Sequence, residues 1–117
     1  MHDGVMDRRV QRIVMLLDER LGSPIRIGEL ARIVGLGASR LEHLFKEQAR
    51  ISIRDYVRDR RLAAAAAMLE STDERVSVIS FQVGFQHVAN FNHAFKKRFG
   101  VSPRQYRERG GTAETTK

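Results

Sequence analysis

The 117-residue chain contains no cysteine, which excludes disulfides, thiolate metal sites and cysteine nucleophiles. No apolar run approaches the length of a membrane span. The opening residues, MHDGVMDRR, hold charges of both signs but no apolar signal core. A soluble, cytoplasmic protein without a membrane partner is therefore expected. The usual enzyme constellations are missing too: no Ser-His-Asp or Cys-His arrangement, no glycine-rich phosphate loop and no carboxylate pair beside a plausible pocket. No catalytic residue, cofactor or metal ion is expected. Proline occurs only twice, and an apolar fraction of 42% argues against global disorder. The length suits one compact unit or two small lobes that need each other.

Acidic residues are missing from one stretch. Residues 75–107 contain Arg75, Lys96, Lys97, Arg98, Arg104 and Arg107 but no Asp or Glu. That window thus carries +6 of the net +7, leaving +1 for the rest of the chain. A one-signed segment attracts polyanions, of which nucleic acid is the commonest. The plain alternative is a soluble basic surface.

What is present repeats. His43-x-Phe45-Lys46 followed by Ser52-x-Arg54-x-Tyr56 recurs fifty residues on as His93-x-Phe95-Lys96 and Ser102-x-Arg104-x-Tyr106. Upstream, Arg26, Ile27, Leu30, Val34 and Gly35 are answered forty-nine residues on by Arg75, Val76, Ile79, Val83 and Gly84. One residue of extra loop in one copy accounts for the change of offset. Two copies of one unit imply two equivalent surfaces.

Apolar spacing then predicts the helices. Val10, Ile13, Val14, Leu17 and Leu21 mark a helix over 7–21, ended by Gly22-Ser23-Pro24. A short helix over 27–34, a turn at Gly35 and a helix over 38–48 make the first helix-turn-helix, with Leu41, Leu44 and Phe45 inward. Ser52 is placed to cap a helix to about residue 70 that contains the Ala63-to-Ala67 block. Ser71-Thr72-Asp73 offers capping oxygens. The second half repeats the plan: 76–83, a turn at Gly84, 87–98 with Phe91, Ala94 and Phe95 inward, and a last helix opened by Pro103. The fold expected is all-α: seven helices, with a first lobe over about 7–51, a linker helix over about 52–70, a second lobe over about 74–107 and a disordered tail over 110–117.

A helix-turn-helix presents the outer face of its second helix to DNA. The inward positions leave Ser39, Arg40, Glu42, His43 and Lys46 outward in the first unit, and Val88, Ala89, Asn92, His93 and Lys96 in the second. Base edges are assigned to Ser39, Glu42, His43, Val88, Ala89, Asn92 and His93. Phosphates are assigned to Arg40, Lys46, Arg54, Lys96, Lys97, Arg98 and Arg104. For Arg54 and Arg104, pairing to helix ends within the protein is the competing role. His43 and His93 are DNA contacts or idle solvated side chains; a metal role lacks a carboxylate or cysteine shell. The Arg58-Asp59-Arg60-Arg61 run reads as a solvated helix face or as a backbone contact. Phe45, Phe85, Phe95, Phe99, Tyr56 and Tyr106 read as packing. A nineteen-residue linker helix is a rod of roughly 28 Å, commensurate with two readers one DNA turn, roughly 34 Å, apart. The DNA site should be asymmetric, because the two faces differ.

Gly35-Leu36 leading into Leu41-x-x-Leu44-Phe45-Lys46, and Val83-Gly84-Phe85 leading into Phe91-x-x-x-Phe95-Lys96-x-x-Phe99-Gly100-Val101-Ser102-Pro103-x-x-Tyr106-Arg107, resemble the AraC/XylS transcription regulators over residues 7–107. The resemblance implies two helix-turn-helix lobes joined by a long helix, bacterial promoter DNA as partner and activation through contact with RNA polymerase. It also maps the base-reading helices to 38–48 and 87–98. Family members usually have Ser at helix caps where this chain has Arg26, Gly37, Arg75 and Gln86, and long polar side chains where it has Val88 and Ala89. The second lobe could thus clamp phosphates rather than read bases. Most members carry a further effector-binding or dimerisation domain. A small stand-alone member, monomeric, and a fragment of a longer regulator are both compatible with these residues.

The alternative function is a helical interaction module whose basic face binds an acidic protein; sequence-selective retention of DNA separates the two. RNA is less well matched, for want of exposed aromatic stacking residues.

Overall fold

The computed structural model describes residues 6–110. Among them are seven α-helices and no strand: α1 (Arg8–Glu19), α2 (Ile27–Ile33), α3 (Ala38–Ala49), α4 (Ile53–Ser71), α5 (Val76–Gln82), α6 (Val88–Phe99) and α7 (Pro103–Glu108). The expected disordered tail lies, from residue 111 onward, outside the described residues.

The chain divides into two compact units, Met1–Arg58 and Asp59–Lys117, and α4 contributes to both. In the first, Val10, Ile13 and Leu17 of α1 pack with Leu30, Ala31, Leu41, Phe45, Ile53 and Val57. In the second, Leu62, Ala65, Ala66 and Leu69 of α4 pack with Ile79, Val83, Phe91, Phe95, Val101 and Tyr106. The two cores differ in chemistry. The first is largely aliphatic, with one edge-on ring pair, Phe45–Tyr56, at 5.8 Å. The second is a chain of rings: Phe85–Phe91 at 5.2 Å, Phe91–Phe95 at 5.6 Å, Phe95–Phe99 at 4.5 Å and Phe95–Tyr106 at 5.3 Å. Offset and edge-on ring pairs of this kind add to the area they bury.

Helix ends explain the departures from the expected bounds. Asp7 lies outside α1 as its cap, accepting from Arg9 N at 2.7 Å. Leu21 falls beyond the end of α1 and is half-buried, as is Val14. Leu44 and Ala94, expected inward, are also half-buried, whereas Leu41, Phe45, Phe91 and Phe95 are fully enclosed. Ser52 accepts from Asp55 N at 3.1 Å. In α7, Ser102 and Gln105 cap each other's backbone N–H groups, and Pro103 occupies the first turn.

The caps of the two helix-turn-helix motifs are weak. Arg26, Gly37, Arg75 and His87 occupy the N-cap positions of α2, α3, α5 and α6, and none supplies a capping side-chain oxygen. The α6 cap is therefore His87, one residue past the expected Gln86. Nor do the oxygens of Ser71-Thr72-Asp73 reach α5. Ser71 and Thr72 donate back to Ala67 O and Met68 O, and Thr72 accepts from Glu74 N at 3.2 Å.

Candidate nucleic-acid interface

Each helix-turn-helix is built around a glycine with positive φ, Gly35 at 75° and Gly84 at 109°. The turns close with matching hydrogen bonds, Leu36 N to Ala31 O at 2.8 Å and Phe85 N to Ser80 O at 2.9 Å. Ala31 is 1% exposed and Ser80 is 0% exposed, so each turn rests on a small enclosed side chain. Ser80 meets its hydroxyl's need internally, donating to Ser77 O at 2.8 Å.

The two turns differ in what covers them. A Cβ at Gly35 would meet nothing within 4 Å, whereas one at Gly84 would lie 2.6 Å from Arg61 Nε and 2.7 Å from its Cζ. The guanidinium of Arg61 thus fills the space that a side chain at Gly84 would need. Burial there lowers the Arg61 pKa from its ordinary value. The expectation that all of residues 58–61 form a solvated face therefore fails at Arg61, which packs on the turn. Arg58 instead pairs with Asp55 at 3.2 Å on the surface.

On α3, Ser39, Arg40, Glu42, His43 and Lys46 are all exposed, and none of their side chains forms a hydrogen bond or ion pair with another described residue. Glu42 and Lys46 stand one helical turn apart without pairing. On α6, Ala89, Asn92, His93 and Lys96 are exposed, while Val88, at the first position of the helix, is half-buried. Lys96, Lys97 and Arg98 fill the last turn of α6, where cations also complement the helix dipole. Arg98 lies over Phe99, 5.1 Å from its centroid, and remains exposed.

Arg54 and Arg104 are exposed and bond to no described residue. Pairing to helix ends falls to Arg107 instead, which donates from Nε to Leu69 O at 3.1 Å and from Nη2 to Thr72 O at 3.0 Å. Arg107 thereby closes the carbonyl end of α4. Phe81, not among the residues assigned to DNA, is 53% exposed. The signal was available: Ile79 and Val83 set the buried stripe of α5, and Phe81 lies between them, off that face.

This is a tandem helix-turn-helix fold in which α3 and α6 each carry exposed polar and basic side chains. The sequence profile described as "Helix-turn-helix domain" matches residues 30–109, and the chain belongs to that AraC-type family of transcription regulators. It is 34% identical over 103 residues to the arabinose operon regulatory protein of Escherichia coli, covering 87% of this chain and 35% of that protein. It is 28% identical over 100 residues to the regulatory protein SoxS of Escherichia coli, covering 86% of this chain and 94% of that one. The chain thus spans about a third of the first relative and nearly all of the second. Among solved structures it resembles the C-terminal domain of AraT, a response regulator from Geobacillus stearothermophilus. There the TM-score is 0.86 at 26% identity, with 97% of this chain and 94% of that chain covered. The fold also matches, at TM-score 0.82 and 19% identity, the DNA-binding domain of AdpA, solved in complex with a target DNA, over 88% of this chain and 93% of that one. No described helix is long and apolar enough to cross a membrane.

Proposed function

We propose that the chain is a sequence-specific DNA-binding transcription regulator that places α3 and α6 in two successive major-groove segments of promoter DNA. Ser39, Glu42 and His43 face base edges in the first segment, and Val88, Ala89, Asn92 and His93 in the second. Arg40, Lys46, Arg54, Lys96, Lys97, Arg98 and Arg104 take phosphates. The observation that carries this is the outer face of α3: five exposed polar or charged side chains on one recognition helix, none engaged within the fold. Side chains held ready but unpaired lose little intramolecular bonding when they meet a base edge or phosphate.

The second face is poorer in hydrogen-bonding groups. Val88 and Ala89 offer methyl contacts suited to thymine, and Asn92 can pair with adenine. Its specificity is accordingly lower, and its affinity comes mainly from the basic last turn of α6. Activation through RNA polymerase, and action as a monomer, complete the reading. Both belong to what the resemblance to the AraC/XylS regulators implies.

Selection of bound duplexes from a randomised pool, at near-physiological salt, tests it. The expected outcome is an asymmetric motif with a strong block and a weaker one about one DNA turn apart. Failure to enrich any sequence would remove the assignment and favour an acidic protein partner. Transcription from a promoter carrying the selected site, with purified polymerase, then tests activation.

A further inference from the structure

An open notch of about 500 Å³ in the second unit is lined by Arg75, Val76, Ser77, Arg104, Arg107 and Glu108. Three guanidinium groups thus share its walls with one carboxylate. Arg107 is held by the carbonyls of Leu69 and Thr72, which fixes its position but leaves its charge unneutralised. The side chains of Arg75 and Arg104 bond to no described residue, Glu108 included.

Arg75 is an unfavourable choice for its position. It stands at the N-cap of α5 and makes no capping bond, because a guanidinium has donors but no acceptor. The same choice is made twice. Arg26 occupies the N-cap of α2, also without a capping bond, and Arg54 matches Arg104 in the repeat. Both side chains are exposed and without a partner among the described residues. A residue that forgoes a local capping bond in both halves, each time with a second unpaired arginine at the start of a later helix, is positioned for something outside the chain.

We propose that Arg75 and Arg104 together hold one backbone phosphate of bound duplex DNA in this notch, with Arg107 as its fixed cationic wall and the Ser77 hydroxyl as a further donor. The proposal rests on the DNA-binding reading above and adds to it a site on α5 and α7, outside the recognition helix. Guanidinium forks match the oxygens of a phosphate in paired hydrogen bonds. The contact would fix the register of the second unit on the duplex without reading bases.

The test uses the duplex that the parent protein selects and replaces its phosphates one at a time with uncharged methylphosphonates. One substitution should weaken the parent on the order of tenfold, as expected for a lost charged hydrogen bond. The doubly substituted R75S/R104Q protein should bind the unmodified duplex at least that much more weakly and be indifferent to that one substitution. Ser at position 75 restores a capping residue, so the unfolding midpoint of R75S should be unchanged or raised; a lowered midpoint would show Arg75 to be held by the fold and overturn the proposal. Persistence of the parent's full methylphosphonate profile in the double variant would overturn it while leaving DNA binding intact. If the parent selects no duplex, the DNA reading falls first and the proposal with it. Inorganic phosphate titrated into the free protein separates the other source of this chemistry. Saturating shifts of the Arg75 and Arg104 side-chain resonances at submillimolar phosphate would make this a free-anion site, against the proposal, and no such saturation is expected.

Discussion

The hydroxyl of Tyr106 donates to Glu70 Oε2 at 2.7 Å, tying α7 to the end of α4. Tyr56, its counterpart in the repeat, donates to Asp18 Oδ1 at 3.0 Å, tying α4 to the end of α1. In each unit a tyrosine in the closing helix thus reaches a carboxylate near the end of the helix that opens the unit. Tyr106 is 6% exposed, whereas Tyr56 is half-buried and its bond lies in an exposed setting. Tyr106→Phe should cost about 1 kcal/mol and Tyr56→Phe less, because a bond to a charged acceptor gains strength as water is excluded. Denaturant unfolding of the two variants measures the difference; equal losses would show that burial does not set the strength of these ties.

The two turn glycines should respond unequally to substitution. Gly35→Asn puts a residue that tolerates left-handed backbone into a φ of 75° with open space around it, and should cost no more than about 1 kcal/mol. Gly84→Asn meets a φ of 109° and the Arg61 guanidinium together, and should cost about 2–3 kcal/mol from strain and displaced packing. Arg61→Met should recover part of that loss in the double variant, since a flexible thioether can yield. A thermal-unfolding double-mutant cycle checks this, and strict additivity would mean that the two side chains do not compete for the same space.

Arg50 adopts φ 67° at the C-cap of α3, where Gly100 adopts 83° after α6. A non-glycine residue in this region carries a steric cost that glycine avoids. Arg50→Gly should therefore stabilise the first unit by about 0.5–1 kcal/mol, after allowing for glycine's greater freedom when unfolded. A lowered midpoint in denaturant would show that the Arg50 side chain contributes more than its backbone costs.

These pairs show what the sequence made legible and what it hid. The helix-turn-helix repeat was readable from Gly35, Gly84 and the shared Phe-Lys and Ser-x-Arg-x-Tyr spacing, because close turns and enclosed rings tolerate few residue types. The repeat in fact extends upstream: Val10, Ile13 and Leu17 of α1 have counterparts in Leu62, Ala65 and Leu69 of α4. That part was hidden because burial alone accepts Ile in one copy and Ala in the other. The Arg61 contact with Gly84 was hidden for a different reason. Arg9, which stands at the matching offset, pairs with Asp7 at 3.0 Å, and the residue type does not tell which of two matched arginines will pack on a turn. The half-buried state of Val88 was likewise not legible, since inward and outward positions are graded at the first turn of a helix whose cap, His87, makes no side-chain bond.

Glu42→Ala or His43→Ala should change which bases are preferred within the block read by α3, leaving the other block alone. Each good base contact is worth about 1–3 kcal/mol of discrimination, enough to redistribute a selected pool. Both variants should fold as the parent does, because both side chains are exposed and unbonded within the protein. Repeating the duplex selection with each variant gives the answer, and an unaltered motif in both would reassign that face of α3.

Lys96→Ala should behave differently, weakening all sequences alike. Lys96 is exposed in the last turn of α6, beyond the positions assigned to bases and beside Lys97 and Arg98. A phosphate contact releases counterions, so its loss should make the plot of log affinity against log salt shallower by about one. The favourable interaction of Lys96 with the α6 dipole gives a competing account, in which substitution lowers stability slightly and leaves the salt slope unchanged. Measuring slope and unfolding midpoint on the same preparation decides between them. A shallower slope with little change in midpoint assigns Lys96 to the DNA, whereas an unchanged slope with a lowered midpoint assigns it to the helix end alone.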